Sequence, residues 1–178
     1  MGGPSLATFG EALLACHASL FRYARALSHD PVTAEELVQE AYRRALAAGK
    51  NPYPPTEENL RPWLFTIVRN HWYNDLRRRK MLDAYESTAE TEPASLDTPD
   101  VIFSRRVLQS EVRDAVEALP DTLREVIVLR EIEALSYAEI ARLQSCPIGT
   151  VMSRLARARA ALRVELGQYS ASAKGVGD

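Results

Sequence analysis

The chain has 178 residues, 46% hydrophobic and 26% charged, with a formal net charge of -2. This length allows one medium domain or two small ones, and small modules with thin cores favour linked helical units over one large enclosed site. No apolar run is long enough to cross a bilayer, and the widely separated Cys16 and Cys146 with the dispersed His17, His29 and His71 make neither a disulfide framework nor a metal signature.

The opening Met1-Gly2-Gly3-Pro4-Ser5 lacks the charged and apolar regions of a signal peptide, so an intracellular location is expected. Phe9, Leu13, Leu20, Tyr23, Ala24 and Leu27 then recur at helical spacing. Asp30-Pro31 reads as a turn. Thr33-Ala34-Glu35-Glu36 reads as a capping box, in which the Thr hydroxyl covers an orphan amide and Glu36 reaches back. That helix is expected over 33–48, ended by Gly49. Pro52, Pro54 and Pro55 mark residues 50–59 as a loop, and Pro62 suits the first turn of a new helix. From Trp63 to Lys80, Leu64, Phe65, Ile67, Val68, Trp72 and Leu76 fall on one side. Thr66, Arg69, Asn70, Tyr73 and Arg77 fall on the other. Trp72 sits at the edge of the apolar face and reads as core. Asp75 falls toward the buried side, which predicts an Arg partner or a shift of helix phase.

Residues 83–100 hold six acids with Pro93 and Pro99 and few large apolar residues, the composition of a flexible linker. A helix resumes near Val101 and is broken by Pro120. Thr122-Leu123-Arg124-Glu125 reads as a second capping box, opening Val126–Arg130, and Ser136-Tyr137-Ala138-Glu139 as a third, opening Ile140–Leu143. Gln144-Ser145-Cys146 is a turn, and Pro147 sits at the start of the last helix. The expected fold is all-α. Two small helical domains, 9–82 and 101–167, are joined by the flexible acidic linker 83–100 and followed by a disordered tail, 168–178.

Charge is unevenly distributed. Residues 61–80 carry six basic groups and one acidic, residues 81–100 carry six acidic groups and none basic, and residues 135–178 carry six basic and three acidic. Two basic segments flanking an acidic one point to two contacts with a polyanion. Two short helices joined by a tight turn, the second basic and amphipathic, describe a helix-turn-helix. At 100° per residue, Val151, Leu155, Ala158 and Leu162 form the buried stripe of the second helix. Gly149, Ser153, Ala156, Arg157 and Ala160 point away, with Thr150, Met152, Arg154 and Arg159 on the flanks. A major groove accepts such a helix, with Arg157 placed to reach a guanine or a phosphate, and Arg154, Arg159 and Arg163 placed to neutralise phosphates. The same pattern describes the basic, solvated surface of an ordinary helical pair, and spacing alone leaves both readings open.

Leu135-Ser136-Tyr137-Ala138-Glu139-Ile140-Ala141, Cys146-Pro147-Ile148-Gly149-Thr150-Val151 and Ser153-Arg154-Leu155-Ala156-Arg157-Ala158-Arg159 resemble region four of a bacterial sigma factor of the extracytoplasmic-function (ECF) type. The upstream Leu119–Val126 and Leu129-Arg130-Glu131 match the same region. Ala34–Glu40, Leu60–Asn70 and Arg77-Arg78-Arg79 resemble region two. The motifs stand in register over roughly residues 9–166.

The resemblance implies a two-domain initiation factor, not an enzyme, with no cofactor. It would bind core RNA polymerase, through the clamp helices of the largest subunit and the flap, and direct it to promoter DNA. The N-terminal domain would read and melt the minus-ten element through Arg69, Asn70, Tyr73, Asn74, Arg77, Arg78 and Lys80. Those residue types fit unstacked bases, since Asn bonds base edges, Tyr stacks and cations track phosphate. The C-terminal domain would read the minus-thirty-five duplex through Thr150, Met152, Ser153, Arg154, Ala156, Arg157 and Arg159. Glu36, Leu37, Gln39, Glu40 and Arg43 would dock core polymerase. An anti-sigma factor is an expected partner by the same resemblance. The chain would be cytoplasmic, held at the membrane only through that partner, with no membrane insertion of its own. Met152 and Ala156 depart from the basic or large residues usual in the family, which predicts a different or weaker upstream preference. Cys146 reads as a small buried thiol. Two other readings compete: a sigma-mimic decoy for an anti-sigma factor, against which stand the retained cations of residues 61–80, and a free-standing helix-turn-helix regulator, which leaves the N-terminal domain unexplained.

Overall fold

The computed structural model describes residues 6–48, 57–85 and 105–174, with side chains over 9–48, 59–81 and 111–167. The described residues form helices joined by short turns, without a strand. The N-terminal half contains α1 (Leu6–Ala15), α2 (His17–Ser28), α3 (Pro31–Ala48) and α4 (Glu57–Tyr85). The C-terminal half contains α5 (Arg105–Glu117), α6 (Asp121–Ile127), a π-helical turn (Val128–Ile132), α7 (Tyr137–Gln144) and α8 (Ile148–Lys174). The all-α expectation of two helical domains therefore holds.

The apolar spacing read along the chain is the spacing that is buried. Leu20, Tyr23, Ala24 and Leu27 of α2 pack against Ala34, Leu37, Val38, Ala41 and Ala45 of α3, with Leu64, Phe65 and Val68 of α4 closing the bundle. Ala at three of the five buried α3 positions keeps side-chain bulk low where α2 approaches. The Tyr23 ring meets Phe65 edge-on, centroids 5.0 Å apart, a favoured aromatic geometry. In the C-terminal half, α8 buries Val151, Leu155 and Ala158 against α6 and α7. Leu162, the fourth member of the expected stripe, is half-buried.

Several helix boundaries differ from the sequence reading. The third capping box is present: Ser136 Oγ accepts from the Glu139 amide and Glu139 accepts from the Ser136 amide at 2.7 Å. The first is not. α3 begins at Pro31, and Asp30 Oδ2 accepts the Thr33 amide at 2.6 Å. Asp is at least as good a cap as Thr, and Asp30 occupies the position directly before the first helical residue, Pro31. This bond holds the Asp30 carboxyl below its ordinary pKa. The second box fails because α6 begins at Asp121 without a side-chain cap and Glu125 is turned inward. α4 begins one turn before Pro62, so the proline lies inside the helix. There it removes one backbone donor, and Thr66 Oγ1 donates to the Pro62 carbonyl at 3.0 Å. α4 also runs to Tyr85, into the segment read as linker, and α8 runs to Lys174, into the segment read as a disordered tail. Gly49, most of the 50–59 loop and the remainder of the acidic linker lie outside the described residues, as do Val101–Ser104.

The two halves touch. α4 packs on α7, and α2 on α6 and the π turn, so the buried apolar residues of both halves form one continuous cluster. No sequence signal gave the halves this arrangement.

Candidate nucleic-acid interface

α4 offers its polar face in two parts. Toward its C-terminal end, Asn70, Asn74, Arg77, Arg78 and Lys80 are exposed, and Arg77, Arg78 and Lys80 form no ion pair within the described residues. Asp75 does find the expected arginine, Arg79, at 3.4 Å. Trp72 is partly buried against the core. This end is a strip of amide edges and cations open to solvent.

The other part is covered. Arg69 Nε donates to Glu125 Oε1 at 2.8 Å, and its guanidinium lies 4.6 Å from the centre of the Tyr73 ring. The Tyr73 hydroxyl donates to Glu125 Oε2 at 3.3 Å, and the Tyr23 hydroxyl donates to Glu125 Oε1 at 2.7 Å. Glu125 is 1% exposed. A carboxylate so buried is tolerable only with charge and hydrogen bonds supplied, and all three donors come from the other half of the chain. Burial, and then Glu125, pushes the Tyr73 hydroxyl up to about 12 and Tyr23 well above its usual value. Burial alone would lower Arg69, but Glu125 outweighs it and holds the guanidinium pKa raised. Arg69 and Tyr73, both expected to face minus-ten DNA, are thus engaged within the chain.

A second buried carboxylate, Glu133, is less fully satisfied: one oxygen accepts a hydrogen bond and Oε2 has none among the described residues. Its Oε1 accepts from Arg22 Nε at 2.9 Å, and Arg61 donates to its backbone carbonyl at 2.7 Å while lying 3.9 Å from Oε2. Arg124 completes the seam. It is 4% exposed, donates to the Ala26 carbonyl at 3.1 Å and contacts the His29 ring. Burial first, and Arg124 second, lowers the pKa of His29. Sequence reasoning missed Tyr23, Arg22, Arg61, Arg124 and Glu133 as charge-bearing contacts. The available signal was weak: Glu125 and Glu133 bracket the apolar run Val126–Leu129, on a segment where solvated carboxylates are unexpected.

α8 exposes the residues that helical spacing turns away from its buried stripe. Gly149, Met152, Ser153, Ala156, Arg157 and Ala160 are exposed, and Thr150 is half-buried. Ser145, in the left-handed conformation at φ 51°, closes α7 and turns the chain into α8. The cations differ in availability. Arg154 donates to Gln144 Oε1 at 2.8 Å, which ties α8 to the end of α7, and Arg159 pairs with Glu131 at 2.6 Å. Arg157 and Arg163 are exposed without an ion pair among the described residues. Cys146 is half-buried in the turn.

On α3, Glu36, Gln39 and Arg43 share the exposed side. Glu40 accepts from Arg43 at 2.8 Å and from Arg44 at 2.6 Å, bonds that lower its pKa. Leu37 departs from the expected docking set. It is 3% exposed and belongs to the bundle core.

Comparison with known proteins places this geometry. Residues 13–81 match the family described as Sigma-70 region 2, and residues 109–162 match Sigma-70, region 4. The chain is 37% identical over 155 residues to the ECF RNA polymerase sigma factor EcfG of Rhodopseudomonas palustris (strain TIE-1), covering 84% of this chain and 80% of that protein. It is 33% identical over 153 residues to the ECF RNA polymerase sigma factor SigE of Mycolicibacterium smegmatis, covering 85% of this chain but only 58% of that protein's length. Among solved structures, the sigma factor RpoE of Bartonella quintana, in complex with the anti-sigma factor NepR, superposes with a TM-score of 0.73 at 30% identity, covering 89% of this chain and 96% of that one. Both regions, in order and at these identities, establish that the chain belongs to the ECF family of RNA polymerase sigma factors.

Proposed function

We propose that this chain binds core RNA polymerase and directs it to promoters, reading the minus-ten element with α4 and the minus-thirty-five element with α8. The observation that carries the reading is the pairing of two exposed basic helices, one on each family region: Asn70, Asn74, Arg77, Arg78 and Lys80 on α4, and Ser153 and Arg157 on α8. The first set suits single strands, with amide edges for unstacked bases and cations for phosphate. The second suits a duplex groove. Arg69 and Tyr73 join the first set only when freed from Glu125, and Arg154 and Arg159 join the second by exchanging partners. Glu36, Gln39, Glu40 and Arg43 are the proposed docking surface for the polymerase clamp helices. The domain limits 9–82 and 101–167 are part of the same proposal.

The match to a sigma factor solved with an anti-sigma factor supports control by such a partner. No helix among the described residues is long and apolar enough to cross a membrane, so the proposal places the chain in the cytoplasm and assigns any membrane tether to the partner. The proposed role is that of an initiation factor, with the transcription chemistry belonging to polymerase.

Run-off transcription from a library of genomic promoter fragments, with purified core polymerase, tests the reading. Discrete start sites that require the chain are expected. Replacing Arg77 and Arg78 by Ala should weaken promoter opening and leave core binding intact, flattening the log-log salt dependence by about one unit per lost phosphate contact. Binding to core without initiation would instead indicate a decoy. Binding of a symmetric operator without core would indicate a stand-alone regulator.

A further inference from the structure

We propose that Glu125 and Glu133 are an internal lock: two buried carboxylates of the C-terminal half that occupy the cations of the N-terminal half and withhold Arg69 and Tyr73 from DNA. The proposal rests on the sigma-factor reading for its consequence, and on the geometry alone for its existence.

A carboxylate and a phosphate compete for the same partner, since each offers two or more oxygens to a guanidinium. Glu125 stands where a phosphate would have to stand, with Arg69 Nε at 2.8 Å from Oε1 and the Tyr73 hydroxyl at 3.3 Å from Oε2. Arg69, 4.6 Å from the centre of the Tyr73 ring, occupies one of the two faces on which a base could stack. The two carboxylates act on different helices of the N-terminal half. Glu125 holds Arg69 of α4, and Glu133 holds Arg22 of α2 through Oε1, with Arg61 of α4 bonded to the Glu133 backbone carbonyl and 3.9 Å from its Oε2. Every one of these contacts joins one half to the other, so all of them break together when the halves separate. By contrast the exposed cations Arg77, Arg78 and Lys80, beyond the reach of either carboxylate, stay available. The shut chain therefore keeps a sequence-indifferent phosphate grip while its aromatic and amide-adjacent cation are covered. Opening exposes the rest, and a partner that favours the open chain gains by the population it shifts.

The test uses the full chain and a fluorescein-labelled random-sequence single-stranded oligonucleotide, without polymerase. The Glu125→Gln, Glu133→Gln double variant keeps side-chain shape and removes both charges. It should bind the oligonucleotide at least about ten-fold tighter and show a larger radius of gyration by small-angle scattering. Arg22→Gln, at a half-exposed side chain outside the DNA-facing set, gives a second route that removes only one partner of Glu133. It should move both readouts in the same direction by less. Wild-type affinity and radius in both proteins would overturn the lock, as would a wild-type radius already matching separated halves. Should the double variant fail to fold, Arg22→Gln alone decides. Run-off transcription by the wild-type chain separates the two levels. Its absence counts against the sigma-factor reading while leaving the scattering result to judge the lock, and its presence with unchanged scattering in the variants discards the lock alone.

Discussion

The two basic helices hold their cations by different means. On α8, Arg159 is paired with Glu131 at the surface, both side chains more than 40% exposed. On α4, Arg69 is paired with Glu125, 1% exposed, at a seam between halves. An exposed pair is screened by water and contributes about 0–1 kcal/mol, so a phosphate can replace its carboxylate at little cost. A buried pair has already lost its hydration, and removing one partner leaves a stranded charge. On the proposed reading, α8 is thus ready to meet a duplex as it stands, whereas the middle of α4 must first be released.

Four changes sharpen or break that contrast. The largest effect is expected from Glu125→Ala, which strands Arg69 and Tyr23 and should lower the stability of the closed chain by about 3–5 kcal/mol in urea unfolding. A loss under about 1 kcal/mol, the value for an exposed pair, would erase the distinction between the helices. Next comes Arg157→Ala on the open face of α8, expected to cost about 1–3 kcal/mol of discrimination at one base pair of the upstream element. Selection from a randomised promoter library reads this directly, and an unchanged preference would remove α8 from recognition. Smaller still is Glu131→Ala, which should alter stability by no more than about 1 kcal/mol and modestly tighten duplex binding by freeing Arg159.

The least effect concerns pH. His29, against Arg124 with Asp121 and Glu117 nearby, has a pKa lowered from 6.5. Its neutral form is the one the fold accommodates, so the stability it contributes is complete above 6.5 and falls as pH drops below it toward the lowered value. The urea midpoint should decline on acidification through that window. In His29→Gln the slope should flatten, and an equal slope in both would assign the pH response elsewhere.

What the sequence disclosed, and what it did not, divides along the range of the interactions. Val151, Leu155 and Ala158 announce the buried face of α8 by spacing alone, because one helix against one core needs no other information. Ser136 and Glu139 announce their box because both partners lie within one turn. The pattern at Thr122 and Glu125 is identical on paper, yet Glu125 is taken by Tyr23 and Arg69, 102 and 56 residues away in sequence. Nothing local could reveal that. Leu37 fails for a related reason: a motif marks a segment, while burial decides which of its residues face outward. On α4, the exposed Asn70, Asn74 and Arg77 followed from helix phase, and the cover over Arg69 and Tyr73 did not, since it depends on how the two halves meet.

The π turn at Val128–Ile132 has a consequence for that meeting. In an unbroken α-helix, Glu125 and Glu133, eight residues apart, would point about 80° away from each other. The wide turn, marked by the Glu133 amide donating to the Val128 carbonyl at 2.9 Å, accommodates one additional residue and takes back about 100°. The two carboxylates come to within about 20° of a common heading, as two teeth cut on one side of a key. A single-residue deletion here would straighten the shaft and swing one tooth out of the wards while removing none of the lock residues.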